Sequence, residues 1–328
     1  MKEKYMDLSK EVNFNNIYKA RKTVYHKLKK THLIHYASLS ELIGGEVCVK
    51  HENHNPTGSF KIRGTVNFMA HATDEIKENG IIVATRGNHG LATAWAAREE
   101  DILCNVVVPM NNNPEINNAI TGLGAQLMSH GKDFYETQQY CEDLSYQLGY
   151  YYIEQGNEPE ILNGLGTMGL EIFEDFPDVD VIIIPVGGGS GCASLIQVVK
   201  AINPKVKIIG VIAEKAPALL ESLQKGERVI ASSADTFADG LAARSIYEVA
   251  YEIIKGGGIE VCTVSEDEII SGVKMALLHT HNLAEGAGAA GLACAMKMKK
   301  ELAGKKTVII MTGANLDRKH LEWALKTE

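Results

Sequence analysis

Two segments of the chain hold residue types that can do chemistry. The first, Glu52 to Gly64, reads ENHNPTGSFKIRG and places Lys61 directly after Phe60. A lysine held in a cleft beside an aromatic side chain loses hydration, and desolvation with neighbouring cations lowers its pKa towards a reactive neutral amine. The second segment, Pro185 to Gly191, reads PVGGGSG and follows a Val/Ile run. Backbone N–H groups free of side chains at the start of a helix form a ready anion site. Two phosphate loops are excluded: Cys192 stands where the third glycine of GxGxxG belongs, and no lysine follows as GxxxxGK[ST] requires. Four glycines in five residues are entropically costly for packing alone, so a phosphate monoester is the preferred ligand. The alternatives are a packing turn without a ligand, and a nucleotide with Glu214 as the ribose-binding acid. A reactive lysine together with a phosphate cradle points to pyridoxal 5′-phosphate, which needs both.

The elements that must position these residues read as α/β. Short β-branched runs at Ile81–Thr85, Val106–Pro109, Val181–Val186, Ile208–Ala213 and Thr307–Thr312 lack polar alternation, as strands covered on both faces do. Helical patterns at Leu91–Arg98, Asp133–Leu148, Leu165–Asp175, Ala193–Ala201, Glu266–His279 and Gly288–Leu302 separate them, which calls for parallel sheets. Polar stretches place domain boundaries near 55–60 and 155. Many of the 31 glycines sit at the carboxyl ends of predicted strands, the edge where open parallel sheets bind ligands.

Composition bounds the function. The 328 residues include 33 basic and 41 acidic side chains, a net charge of −8, which argues against nucleic acid or anionic membrane as a partner. The basic run Arg21 to Lys30 reads as a solvated helix face. Six cysteines without a CxxC pair read as reduced thiols, no secretory signal is visible, and Pro185 with the glycines excludes a membrane span at Val181–Val199. A soluble, cytoplasmic protein is expected. His51 and His54 are three apart, not four, and Pro56 argues against a zinc helix there; His279 and His281 read as structural. None of the cysteines has a base partner in sequence.

The lysine segment, Thr85-Arg86-Gly87-Asn88-His89-Gly90, the glycine turn and Thr312-Gly313-Ala314-Asn315 together resemble the fold type II pyridoxal-phosphate enzymes. Within them the chain is similar to the branch of serine/threonine dehydratases (threonine ammonia-lyases) and serine racemases, over nearly its whole length. The resemblance implies two open, mainly parallel-sheet α/β domains with helices on both faces, as in tryptophan synthase β. Residues 1–57 and 156–328 would form the large cofactor domain, with 58–155 inserted as the small one and the cofactor in the cleft. Lys61 would form the Schiff base and remove the substrate Cα proton, and Phe60 would pack beside the cofactor ring. Asn88 would bond the phenolic oxygen, while Gly187, Gly188, Gly189, Ser190 and Gly191 cradle the phosphate. Thr312 would face the pyridine nitrogen, and a hydroxyl there leaves that nitrogen unprotonated, favouring β-elimination over transamination. Thr85 and the backbone of Arg86, Gly87, Asn88 and His89 would clamp the α-carboxylate. Gly240 would border the substrate, and Glu285 would give polar support.

Two departures from the pattern qualify the expectation. Racemases of the branch carry a serine at the position of Arg86, and arginine is a poor proton shuttle, so little racemase activity is expected. Arg86 would instead bind a polar or anionic substrate side chain, or be structural. Glu214 matches one acid of the branch's divalent-cation site, but the second position is Leu220, so no metal is expected. The expected reaction converts a hydroxy-amino acid, L-threonine or L-serine, to a 2-oxo acid and ammonia, with the cofactor phosphate protonating the leaving hydroxyl. A dehydratase of threo-3-hydroxyaspartate with Arg86 as selector is the alternative, ahead of a serine racemase or a nucleotide-binding regulatory protein. A homodimer is expected, and with the catalytic core ending near Glu328, so is the lack of feedback control through an appended domain.

Overall fold

A computed structural model describes residues 2–327. Its ten strands are β1 (Leu33–His35), β2 (Glu46–His51), β3 (Ile81–Ala84), β4 (Cys104–Val108), β5 (Gln126–Ser129), β6 (Tyr151–Tyr152), β7 (Val181–Pro185), β8 (Lys207–Ala213), β9 (Glu260–Val264) and β10 (Lys306–Met311). They form two sheets. The larger has the order β1-β2-β10-β7-β8-β9 and is parallel except for β1; the smaller, β5-β4-β3-β6, is parallel throughout. Every residue of β3, β4 and β7 is buried, because helices cover both faces and leave no side of these Val/Ile runs to water.

The carboxyl ends of β7, β10 and β3 deliver the glycine turn, Thr312 and Thr85. Helices start immediately after two of these strands, at Ser190 and Asn88, and others start at Lys61 and Gly286. Residues lining one cleft therefore sit at four helix N-termini, whose free N–H groups and dipoles favour anions.

The five predicted strands and six predicted helices are all present, with ends displaced by a few residues. The helix expected to run to His279 changes at Ala276–Thr280 into a π-helical turn, and His281 follows with φ 57°. The helix expected to reach Leu302 breaks at Met298. The basic run is not simply a solvated face. The helix Phe14–Lys27 ends before Lys30 and buries Ile17, Ala20 and Val24, while Arg21 and Lys30 pair with Glu174 and Lys27 pairs with Glu99 and Glu100. Residues Glu52–His54 form a 3₁₀ turn ahead of Pro56. Among the described residues no helix is long and apolar enough to cross a membrane.

The helix Lys61–Ala70 has no side-chain cap. An ion network with no exposed side chain anchors it instead. Arg63 donates to Glu52 (2.7 Å) and Glu171 (2.6 Å), Lys50 donates to Glu171 (2.6 Å), and Tyr25 donates its hydroxyl to Glu171 (2.8 Å). Two cations face two anions, so each charge is compensated and bonded. Glu171→Ala leaves Lys50 and Arg63 with one carboxylate between them and is expected to cost about 3–5 kcal/mol of stability in urea unfolding. Removing the exposed Arg318–Glu322 pair is expected to leave the midpoint in place; equal effects of the two would contradict the network's role.

Candidate active site

A cavity of about 660 Å³ opens between the carboxyl ends of the two sheets, and all fifteen residues singled out in the sequence line it. Lys61 opens its helix with its amine pointing across the cleft, where it donates to the Ser190 hydroxyl at 2.9 Å. Burial lowers its pKa to about 8, and Glu285 opposes that shift. The neighbouring cations expected from the sequence do not contribute. The Phe60 ring lies 4.8 Å from the amine, and its edge packs on Gly191.

The glycine turn is built by exclusion. Gly189 has φ 97°, a conformation that side chains resist, and caps the helix Ser190–Ile202. A Cβ on Gly187 would collide with the carbonyl of Gly240, so these two backbones can touch only without side chains. The Tyr247 ring closes the far wall against Gly188, its hydroxyl accepting from Gln138 and Gln155 at 3.4 Å each. Ser190 is nearly buried and turned towards Lys61.

The opposite wall begins at Thr85. Its hydroxyl accepts from the N–H groups of Gly87 (3.0 Å) and Gly90 (3.1 Å), so its side chain folds the loop. The N–H groups of Asn88 and His89 at the head of the helix Asn88–Glu99 find no acceptor among the described residues. Asn88 is fixed at both ends of its amide: it donates to Glu285 (2.6 Å) and accepts from Asn315 (2.6 Å), which also donates to the Thr57 carbonyl. Burial pushes the Glu285 carboxyl up to about 8, against the lowering effect of the Asn88 bond. His89 is buried with neither ring nitrogen bonded, and burial plus the Lys61 charge takes its pKa down to about 3, so the ring is neutral. Thr312 is nearly buried beside the Lys61 segment, and its carbonyl accepts the Phe60 N–H at 3.1 Å. Arg86 pairs with Asp239 at 2.6 Å.

The sequence had not singled out Asn315, Asp239 or Tyr247. Asn315 stands in the Thr-Gly-Ala-Asn segment and Asp239 directly precedes Gly240, so adjacency was the available signal; nothing in the sequence marks Tyr247. Glu214 is exposed past the end of β8, and among the described residues no cluster of three or more His, Cys, Asp or Glu is arranged to hold a metal. Cys192 is buried, which pushes its thiol up to about 12 and leaves it unreactive.

A buried amine of lowered pKa, a side-chain-free anion cradle and a second helix N-terminus fit an aldehyde-bearing phosphate ester that also binds a carboxylate-bearing substrate. The model of the pyridoxal-phosphate-dependent enzyme family matches residues 24–313. The chain belongs to that family. This pyridoxal-phosphate enzyme is 35% identical over 306 residues to the L-threonine ammonia-lyase of Thermotoga maritima, covering 93% of this chain and 76% of that one. Among solved structures, it resembles the processed form of threonine deaminase isoform 2 from Solanum lycopersicum, with a TM-score of 0.90, 30% identity, and coverage of 98% and 88%. It also resembles maize serine racemase, with a TM-score of 0.89, 26% identity, and coverage of 95% and 96%. Its fold is the fold type II architecture expected from the sequence, and its cofactor is pyridoxal phosphate.

Only the neutral amine attacks an aldehyde. With the Lys61 pKa at about 8, the rate of cofactor attachment to the cofactor-free enzyme is expected to rise with pH and level off above that value, followed by the growth of visible absorption. Glu285 ionises over the same range, and its carboxylate form raises the amine's pKa, so Glu285→Gln, which cannot ionise, moves the rise to lower pH. A flat profile, or a shift to higher pH, would contradict this electrostatic account.

Proposed function

We propose that this enzyme is an L-threonine/L-serine dehydratase, an ammonia-lyase that converts the hydroxy-amino acid to a 2-oxo acid and ammonia by β-elimination. The observation that carries the reading is a single buried amine of lowered pKa with no second proton carrier at the position of Arg86. Removal of the Cα proton and loss of the β-hydroxyl need one base; racemisation needs a second proton carrier on the other face of the substrate. Arginine keeps its proton at neutral pH, and Arg86 is held by Asp239. The curated relative at 35% identity carries an ammonia-lyase name, which agrees.

In this reading Lys61 holds the cofactor and takes the Cα proton, with the Ser190 hydroxyl orienting the amine. The N–H groups of Gly187, Gly188, Gly189 and Gly191 receive the phosphate at the start of the helix Ser190–Ile202, where the dipole favours an anion. Phe60 flanks the ring, the Asn88 amide meets the phenolic oxygen, and the Thr312 hydroxyl meets the ring nitrogen. Pyridoxal phosphate supplies the electron sink for the pair left at Cα. The free N–H groups of Asn88 and His89 take the α-carboxylate, and Thr85 with Gly87 shapes their loop. Glu285 sets the Asn88 amide, and Gly240 leaves room at the substrate edge.

The same reading includes a small domain of residues 58–155 inserted into a large one of 1–57 and 156–328. That β3 to β6 all fall between residues 81 and 152 supports this division. It also includes a homodimer in the cytoplasm, where six buried free thiols stay reduced.

Assay of 2-oxo acid and ammonia over a panel of hydroxy-amino acids tests the proposal. L-threonine and L-serine are expected to be turned over, and Lys61→Ala is expected to lower the rate by roughly 10²–10⁴-fold or more while the far-ultraviolet dichroism is retained. Undiminished turnover by that variant would overturn it.

A further inference from the structure

The cavity holds five Lys and Arg side chains: Lys61, Arg86, Lys132, Arg228 and Arg244. Four are already matched to an acid, Arg86 to Asp239, Lys132 to Glu136, Arg228 to Glu248 and Arg244 to Asp133. Lys61 alone of the five has no ion pair among the described residues. Arg86 is the cation nearest in sequence to the free N–H groups of Asn88 and His89. It is also incompletely bonded: only Nη1 meets Asp239, on one oxygen, and its buried Nε has no partner. A guanidinium in that state accepts a second carboxylate readily, since fork-to-fork pairing satisfies two donors at once.

Asp239 stands where it can prevent that. Its 3₁₀ turn is closed by bonds from Leu241 N–H to the Ala238 carbonyl (2.7 Å) and from Ala242 N–H to the Asp239 carbonyl (3.2 Å), and Gly240 is seated on Gly187. Thr85 pins the Arg86 side of the pair. Arg86 and Asp239 also border a second cavity of about 650 Å³, so the pair forms part of the partition at that end of the catalytic cavity. The second cavity is also lined by Arg318, Lys319 and His320, the His320 ring lying 2.6 Å from Asp317.

We infer that Asp239 is a specificity-determining residue: by holding Arg86 it reserves the side-chain end of the substrate site for neutral β-hydroxy amino acids and excludes acidic ones. The inference rests on the dehydratase reading for its substrate, but not for its binding test. It reverses the role that the sequence suggested for Arg86, because the selecting group is the carboxylate that neutralises it.

The test uses the holoenzyme and two unreactive acids, succinate and butyrate, whose binding is measured by calorimetry in the native enzyme, Asp239→Asn, Asp239→Ala and the Arg86→Gln/Asp239→Asn double variant. Either single variant is expected to tighten succinate on the order of tenfold without tightening butyrate, and the double variant to lose that gain. In turnover, the ratio of kcat/KM for threo-3-hydroxyaspartate over threonine rises in the single variants, chiefly through KM. Equal tightening of both acids would overturn the inference, because Arg86 would then serve the α-carboxylate. So would a gain that persists without Arg86. If the native enzyme turns over no neutral hydroxy-amino acid, the dehydratase reading fails, while the calorimetry still decides the role of Asp239.

Discussion

Burial of the Lys61 amine is the constraint on which the rest of the site depends. An ammonium group out of water is disfavoured, and the protein compensates it with one hydroxyl, that of Ser190, and not with an ion pair. The four helix N-termini around the cleft add positive potential, which disfavours the ammonium further and favours phosphate and carboxylate. One physical device thus makes the amine reactive and provides seats for two anions. Glu285 is the counterweight. Kept close to neutral by its own burial, it holds the Asn88 amide without fixing a full negative charge beside Lys61.

The scaffold explains how the site is held in place. Fully buried strands carry the glycine turn and the Thr85 loop to the cleft, and only residues 85–87 and 186–189 separate these strands from the helices that follow. Beneath Lys61 lies the network of Arg63, Glu52, Glu171 and Lys50, which ties the Lys61 helix to β2 and to the helix Pro159–Asp175. Such networks add less net stability than their bonds suggest. Their geometry is specific, however, and here it fixes the direction of the first turn of the helix that presents the amine.

Much of this was legible in the sequence, for local reasons. The Val/Ile runs announce strands because burial on both faces removes the polar alternation, and glycines at strand ends announce turns that side chains would obstruct. The Ser-Phe-Lys and glycine segments were legible because both are contiguous: amine and cradle each lie within a few residues. What was not legible is long-range. The Arg86–Asp239 pair spans 153 residues and the Asn88–Glu285 bond 197, and neither spacing leaves a local mark. The cause of the Lys61 shift was misjudged for the same reason, since whether a cation or only apolar surface surrounds an amine is a property of the packed cleft. Helix ends such as the π turn after Met275 were missed because tertiary contacts, among them the bond from the Tyr36 hydroxyl to the Thr280 carbonyl, decide them.

The claim at the centre of this account is that one amine among the chain's many carries the cofactor. Borohydride reduction of the cofactor-loaded enzyme, followed by proteolysis and mass mapping, tests it most directly, because reduction makes the carbon–nitrogen link permanent wherever it lies. The account requires the pyridoxyl mass on the peptide containing Lys61 and on no other. A label on a different lysine, or cofactor that binds and absorbs yet leaves no label after reduction, would contradict it.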